Sequence, residues 1–251
     1  MSKRDVALEQ YRRQLNEWVA ALAVADDEAV RADVAKGYDT NDVHLFTEGN
    51  LDKRADILEL QTSFLRPAFD DLDELIGEYV MGTPQLAFTA GPADAAAFLQ
   101  WLSEAYELTP EQADHVACRL ARYEVEDAAR AGRTAHVRFQ ERLSVARRLT
   151  KSLERGEPVR VHLNPARGWA KLETREFLDD EATLPADVLF YAVKAEIRSA
   201  VLDEPVPALL EALADGGLTL AEWAERTGIG SADELLPVTK RLAELGVVAF
   251  S

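Results

Sequence analysis

Cysteine is nearly missing from this sequence, and so is any long apolar run. Of its 251 residues one is a cysteine, Cys118, so no disulfide can form within the chain and no thiolate cluster can hold zinc. No stretch approaches the roughly 18 apolar residues of a membrane-spanning helix. The N-terminal segment MSKRDVALEQYRRQ carries charges but lacks the apolar run of a secretory signal peptide. These absences predict a cytoplasmic protein without a membrane partner.

Positive charge is also scarce. The chain has 28 Lys and Arg against 45 Asp and Glu, which gives a net charge of −17 at pH 7. Nucleic acid is a polyanion, so the proteins that bind it need a basic surface. The charge therefore disfavours a nucleic-acid partner and suits a basic peptide or protein better. Otherwise the composition is that of a soluble globular protein, and the length allows one large domain or two modest ones.

Motifs of the common catalytic sites are lacking as well. The sequence contains no Gly-rich phosphate loop, no Gly-x-Ser-x-Gly elbow and no His-Glu-x-x-His segment. A di-iron site in a helical bundle needs Glu-x-x-His pairs. The residues three positions before the four histidines are instead Asn41, Gln112, Arg133 and Val159. The sequence therefore predicts a protein that is not an enzyme and has no catalytic residue, metal or cofactor of its own.

Two local groups leave an alternative open. Asp39, Asp42 and His44 lie close together, and they either ligate a metal or form a turn through local backbone hydrogen bonds. Cys118 follows His115 by three residues, so it is either an activated thiolate or a small buried apolar side chain. We favour the turn in the first case and the buried side chain in the second.

Residues 1–157 carry apolar residues at helical spacing, which predicts a helical bundle. A second helix is expected over 27–36. The segment 37–50, GYDTNDVHLFTEGN, has too many turn formers for regular structure. The clearest apolar stripes are Tyr11, Leu15, Trp18 and Leu22, then Leu65, Phe69, Leu72, Ile76 and Tyr79, then Ala95, Phe98, Leu99 and Leu102.

Two proline positions mark helix boundaries within this half. Pro67 is expected to kink or split a long helix, because its ring blocks the helical hydrogen bond and clashes with the preceding turn. Pro110 fits the first position of the next helix, where no N–H bond is lost. Thr109 can cap that helix and Gln112 can complete a capping box.

The sequence changes character after Pro158. Four short runs rich in β-branched and aromatic residues follow (VRVHLNP, ARGWAKLE, DVLFYAV and EIRSAVL), then three short helices and a last strand, VVAF. The expected helices are 206–214, 219–227 and 233–245. Strands followed by three short helices predict a winged helix. We therefore expect an α+β protein, mostly α, with a helical bundle over 1–157 and a small β-sheet plus winged-helix domain over 158–251.

Winged helices commonly bind DNA, but the charge of this one is unfavourable. Residues 203–251 hold nine acidic and three basic residues, a net charge of −6. The third helix, in the place of a recognition helix, opens with Asp233 and Glu234, which would repel phosphates. A transcription regulator with a helical sensor domain remains the alternative function, and a metal-dependent helical enzyme is a third.

A free sheet edge beside the third helix offers a different ligand, because an extended peptide can add to such an edge as a strand. The candidate edge is 197–202, which faces helix 233–245. One face of that helix is expected in the core: Leu235, Val238, Leu242 and Leu245. Leu236, Lys240 and Ala243 lie on another face, which could border a groove, and the alternative is that they and strand 197–202 are ordinary surface and edge residues. The expected peptide-binding residues are Arg198, Ser199, Ala200, Val201, Leu236, Lys240 and Ala243.

Several stretches resemble known families. DVLFYAV, EIRSAVLD and VPALLEALADGGLTLAEWAERTG resemble the small PqqD-like winged helices, or RiPP recognition elements, that bind leader peptides. The stretches 117–132 and 159–173 resemble the HvfC-like partner proteins, or peptide modification chaperones, of multinuclear non-haem iron-dependent oxidative enzymes. The resemblance covers the layout of both domains. It implies a non-catalytic subunit that binds the leader of a ribosomally synthesised precursor peptide and forms a heterodimer with the enzyme, which holds the iron.

A basic stretch is the first candidate surface for that enzyme. Residues 119–155 hold ten basic and five acidic residues, and they form either a solvated helix face or a docking surface for an acidic partner. The segment 164–170, NPARGWA, is the second candidate, since Arg and Trp are enriched in interfaces. Trp169 alternatively belongs to the core of the small sheet. The expected interface residues are Arg119, Arg122, Tyr123, Asn164, Arg167 and Trp169.

Overall fold

The computed structural model describes residue 9, residues 40–83 and residues 91–251, without the side chains of 40–48, 91 and 147. The protein is α+β, with helices followed by two small antiparallel sheets of three strands each and further short helices. Contacts divide the chain into two compact units, Met1–Gln112 and Ala113–Ser251. This division lies well before the boundary that the composition suggested at 157/158.

The described helices of the first unit are α1 (Thr40–Thr62), α2 (Leu72–Gly82) and α3 (Gly91–Ala105). The expected break at Pro67 is confirmed, because α1 runs into a short 3₁₀ turn, Ser63–Leu65, and stops before α2. The prediction of an irregular segment over 37–50 was wrong from Thr40 onward. Thr, Asn and Asp also favour the start of a helix, where they cap its free N–H groups, so these residues mark a beginning as well as a turn.

The core of the first unit follows the predicted stripes. Leu65, Phe69, Leu72, Ile76 and Tyr79 are all buried, and so is the stripe on α3, Ala95, Phe98, Leu99 and Leu102. The rings of Tyr79, Phe98 and Trp101 lie 5.2–5.9 Å apart between centroids, in the range of favourable aromatic contacts. The stripe from Tyr11 to Leu22, the helix expected over 27–36 and Asp39 lie outside the described residues.

Two long helices follow, α4 (Pro110–Ala131) and α5 (Arg133–Glu154). The predicted capping box at the start of α4 is confirmed. The backbone N–H of Thr109 donates to Gln112 Oε1 at 3.0 Å, and the N–H of Gln112 donates to Thr109 Oγ1 at 3.3 Å. The division between the two units falls within α4, after Gln112.

The elements after α5 match the predicted order, with a two-residue strand, β5, that the sequence pattern did not indicate. They are β1 (Arg160–Leu163), β2 (Arg167–Leu172), β3 (Ala186–Val193), β4 (Glu196–Leu202), α6 (Val206–Glu211), β5 (Leu218–Thr219), α7 (Leu220–Thr227), α8 (Ala232–Leu245) and β6 (Val248–Phe250). We expected one small sheet, but the strands form two, in the orders β5-β1-β6 and β2-β3-β4.

Asn164 explains why β1 and β2 belong to different sheets. It follows β1 directly in the sequence, and its side chain is fully buried. The side-chain amide donates to the carbonyl oxygens of Ala192 and Gly246 at 2.9 and 3.2 Å, and Oδ1 accepts from the N–H of Ala166 at 3.0 Å. These bonds hold the turn before β2 against the end of β3 and the end of α8.

The central strand β3 is covered on both faces. This packing accounts for the division between the two units after Gln112, well before the expected boundary at 157/158. Val188, Phe190 and Ala192 pack in a cluster that includes Ala121 and Val125 of α4. The alternate residues, Leu189 and Tyr191, belong to a larger cluster with the C-terminal helices. Helix α4 therefore shares its core with the sheet, although its sequence pattern matches the helical half of the chain.

Candidate peptide-binding groove

Strand β4 lies at the edge of its sheet. It pairs with β3 from Val193↔Glu196 to Asp187↔Leu202, and in the described part of the chain no strand pairs with its other edge. The two-residue turn makes Val193 and Glu196 a hydrogen-bonded pair, and hydrogen-bonded pairs alternate along an antiparallel ladder. The backbone N–H and C=O groups of Ile197, Ser199 and Val201 therefore point away from β3. With respect to residues 40–83 and 91–251, this edge therefore has free donors and acceptors for an extended chain.

A groove of about 790 Å³ lies at the hairpin end of this strand, where Arg198 is the β4 residue that lines it. Its walls are the C-terminal half of α5, the β3–β4 hairpin and the C-terminal half of α8, all within the second unit. Its volume is in the range of sites that hold a ligand or a short peptide. The lining residues are Leu143, Ala146, Thr150, Lys151, Glu154, Val193, Lys194, Arg198, Lys240, Ala243, Glu244, Leu245 and Gly246.

The structure brings together three of the seven residues expected to bind peptide. Arg198, Lys240 and Ala243 line the groove. Ala200 and Leu236 are half-buried and pack against the core. The other two, Ser199 and Val201, are opposite Phe190 and Val188, so their side chains lie on the face of the sheet that packs against α4. Their backbones still form the free edge.

The expected core face of α8 is only partly as predicted. Leu235 and Leu242 are buried, whereas Val238 and Leu245 are half-buried and pack against the same cluster. Thr239 is fully buried instead, and its hydroxyl donates to the Leu235 carbonyl at 2.6 Å. This bond satisfies the hydroxyl, so a polar side chain takes a core position that hydrophobicity alone did not indicate.

Positive charge predominates in the groove, against the −17 of the whole chain. Glu154 of α5 forms an ion pair with Lys240 of α8, and this bond lowers the pKa of Glu154. Arg198 donates to Glu196 at 2.9 Å. The lining contains two carboxylates, Glu154 and Glu244, and four cations, Lys151, Lys194, Arg198 and Lys240.

The hairpin at the groove is held in an unusual conformation. Lys194 has a φ of 58°, in the left-handed region that non-glycine residues rarely adopt. Gln140 of α5 fixes it, because its Oε1 accepts from the Lys194 N–H at 3.0 Å and its side-chain amide donates to the Ala192 carbonyl at 3.3 Å. On the other side, a Cβ at Gly246 would lie 2.8 Å from Val193. Strain that is held by several contacts is frequent at binding sites.

Sequence reasoning missed the wall formed by α5 and the hairpin. Lys151 belongs to the basic stretch that we noted, but that pattern does not show that α5 packs beside α8. The side-chain clamp of Gln140 on Lys194 joins residues 54 positions apart, and local patterns do not indicate such a contact.

The residues expected to touch an enzyme are spread over different environments. Arg122 is exposed, while the Arg119 guanidinium lies 4.3 Å from the centre of the Tyr123 ring and Tyr123 is buried. Asn164 was a wrong choice for a contact residue, since it is fully buried and holds the turn before β2.

In the same segment, Arg167 is half-buried and donates to the Asn164 carbonyl at 2.9 Å. The alternative that Trp169 belongs to the core is also wrong, because 38% of its surface is exposed. Trp169 lies on β2, the other outer strand of the sheet, so it is accessible to a partner.

Cys118 is half-buried and packs with Ala117, Ala121 and Val125 against the sheet. Burial raises the pKa of its thiol to about 12, and the nearby Asp114 adds to the effect. This agrees with the favoured interpretation of Cys118 as a small apolar side chain, because a thiol with such a pKa is a poor nucleophile at neutral pH. His115 Nε2 lies 2.9 Å from Glu176 Oε1.

Across residues 40–83 and 91–251, no group of three or more His, Cys, Asp or Glu side chains is placed to hold a metal ion. The side chains of Asp42 and His44 lie outside the description. The helices in these ranges do not have the length and apolar character that a membrane crossing requires. Comparisons with protein-family models, with curated proteins and with solved structures found no significant match to this chain.

Proposed function

We propose that this chain is a non-catalytic partner subunit. It binds the leader of a ribosomally synthesised precursor peptide and presents the peptide to a multinuclear non-haem iron oxidative enzyme. The observation that supports this most directly is the free edge of β4 beside a groove that α8 also lines. In this proposal the β2-β3-β4 sheet and helices α6, α7 and α8 form a winged-helix unit of the RiPP recognition element type.

The leader binds as an additional strand on β4. Its backbone bonds to the outward groups of Ile197, Ser199 and Val201, and alternate side chains point into the groove against α8 and α5. Backbone bonds of this kind recognise an extended chain with little regard to sequence. Selectivity comes from the groove, whose walls include Arg198, Lys240 and the α5 residues.

The charge of the groove indicates the kind of leader. Four cations face two carboxylates, so an acidic segment fits it better than a basic one. The total charge of the chain had indicated a basic peptide or protein as the partner. The groove indicates an acidic leader instead, because its positive charge is a local exception to an acidic surface. Repulsion elsewhere on the protein then disfavours non-specific contacts with the same acidic peptide.

The iron and the chemistry belong to the partner in this proposal, and the two proteins form a heterodimer. Trp169 and Arg122 are the exposed candidates for that contact, and Trp and Arg are the residue types that most often carry interface energy. A nucleic-acid partner is disfavoured, since the first turn of α8 carries Asp233 and Glu234. The transcription regulator remains the alternative function.

A binding experiment tests the proposal. We expect a fluorescein-labelled peptide, covering the leader of a precursor encoded beside this gene, to bind with a Kd of about 10 μM or lower in fluorescence anisotropy. We also expect the chain to elute with the neighbouring iron enzyme as one complex in size-exclusion chromatography with light scattering. Failure to bind that peptide, together with DNA binding that weakens steeply with salt, would favour the transcription regulator instead.

Charge reversal in the groove tests the preference for an acidic leader. Lys151→Glu is expected to weaken peptide binding about five-fold and to reduce its salt dependence, since Lys151 lines the groove and is exposed. Arg148→Glu is the matched control, because Arg148 is an exposed residue of the same helix outside the groove lining. Equal weakening by both variants would show an effect of net charge alone.

A further inference from the structure

A second, smaller pocket of about 250 Å³ lies within the second unit, and it is strongly basic. It is formed by the first half of α5, the end of β1 with the turn into β2, and the segment between α6 and β5. Arg138, Arg142, Arg167 and His162 line it, and the described residues of the lining include no carboxylate. We call this set the basic pocket.

The guanidinium groups of the basic pocket have no anionic partner among the residues that the structure describes. Arg138 and Arg142 are one helical turn apart on α5, an arrangement in which like charges repel. Arg167 is half-buried, and within residues 40–83 and 91–251 its guanidinium bonds to a neutral group, the Asn164 carbonyl at 2.9 Å. A guanidinium has five N–H donors, so most of those of Arg167 remain for a ligand.

His162 is the fourth polar side chain in the lining of the pocket. Its Nε2 lies 2.7 Å from Ser251 Oγ, and its ring lies so close to Gly217 that a Cβ at that position would overlap with it. Burial lowers the pKa of His162, and the positive charges of Arg142 and Arg160 lower it further. The imidazole therefore lies in a positive potential that a bound anion would offset.

We propose that the basic pocket binds the oxyanion group of a small molecule, either a phosphate or a carboxylate. Both groups are planar or compact acceptors that match the donor geometry of arginine, which often binds them through two parallel bonds. The pocket is smaller than the 300–1,000 Å³ or so of a typical drug-sized site, so it suits a compact anion. This inference is independent of the proposed function, because it rests on a different pocket.

The negative charge of the whole chain allows anion binding at this pocket to be distinguished from unspecific attraction of anions to the protein surface. A protein with a net charge of −17 repels anions over most of its surface. Saturable anion binding at constant ionic strength therefore requires a local site. If long-range attraction alone held the anion, removal of any arginine from α5 would weaken anion binding to the same extent.

Isothermal titration calorimetry with inorganic phosphate and, separately, with succinate tests the proposal, at an ionic strength held constant with potassium chloride. We expect saturable binding of at least one of them with a Kd of about 1 mM or lower. Arg138→Gln/Arg142→Gln is expected to weaken that binding at least about ten-fold, since it removes charge-assisted hydrogen bonds. Binding of phosphate alone, or of succinate alone, identifies the preferred group and supports the proposal in either case.

The matched control is Arg133→Gln/Arg148→Gln, which removes two charges from exposed positions of α5 outside the pocket. It is expected to change the Kd less than about two-fold. Circular dichroism checks that the variants keep the helical content of the wild type. Absence of saturable binding by either anion, or equal weakening by Arg133→Gln/Arg148→Gln, would overturn the proposal.

Discussion

Ser199→Pro is expected to weaken binding of the leader peptide at least about 30-fold while the protein stays folded. The N–H of Ser199 points away from β3, so proline removes a donor that only an added strand would use. The ring also occupies space at the edge where the peptide backbone has to approach. One lost hydrogen bond and this obstruction together account for about 2 kcal/mol, which corresponds to the stated factor. Fluorescence anisotropy with the labelled leader measures it.

Two variants control for this effect. Ser199→Ala removes the exposed hydroxyl and keeps the N–H, so binding should change less than about two-fold. Lys171→Pro places the same obstruction on β2, at the opposite edge of the same sheet, and should also leave binding unchanged. A loss in Lys171→Pro equal to that in Ser199→Pro would mean that proline acts by weakening the sheet. Ala200→Pro is less informative, because the Ala200 N–H bonds to β3.

Arg54→Met is expected to destabilise the first unit by about 3–5 kcal/mol. Arg54 and Asp94 are both buried, and the guanidinium donates two parallel bonds of 2.8 Å to the carboxylate. Arg54 also donates to the Val80 and Thr83 carbonyls, and Tyr79 donates its hydroxyl to Asp94 at 3.0 Å. Among the residues that the structure describes, the variant leaves the buried Asp94 carboxylate with the Tyr79 hydroxyl as its hydrogen-bond partner. Urea unfolding followed by circular dichroism measures the loss.

A double variant distinguishes the cost of leaving one buried charge unpaired from the other effects of replacing Arg54. Arg54→Met/Asp94→Leu removes both charges, and we expect it to recover at least half of the stability that the single variant loses. Arg66→Gln is the surface control, since Arg66 bridges the exposed Glu59 and Asp73, and the urea midpoint should change little. A double variant that is less stable than the single variant would contradict this explanation.

Elements with a clear local pattern could be predicted from the sequence. Strand β4 and helix α8 lie within a residue of their expected positions, because runs of strand-forming residues between turn formers and apolar stripes at helical spacing are local properties. The capping box of Thr109 and Gln112 was found for the same reason. Helix α1 was missed over its first turns, since its Asn and Asp residues favour both turns and helix starts.

What could not be predicted depends on contacts between distant residues. The two sheets separate at Asn164, whose bonds to Ala192 and Gly246 span 28 and 82 positions. The division of the chain within α4 follows from the packing of Ala121 and Val125 on the sheet. The basic pocket joins α5 to Arg167 and His162, and only their arrangement in space distinguishes it from a solvated basic face.

The proposed addition of a peptide strand to β4 has one direct test, residue-resolved amide hydrogen exchange by NMR with and without the labelled leader. We predict that the peptide slows exchange at least about ten-fold at Ile197, Ser199 and Val201, whose N–H groups point outward. Arg198 and Ala200 should change little, because they already donate to β3. Peptide binding that leaves the exchange of Ile197, Ser199 and Val201 unchanged would contradict the account.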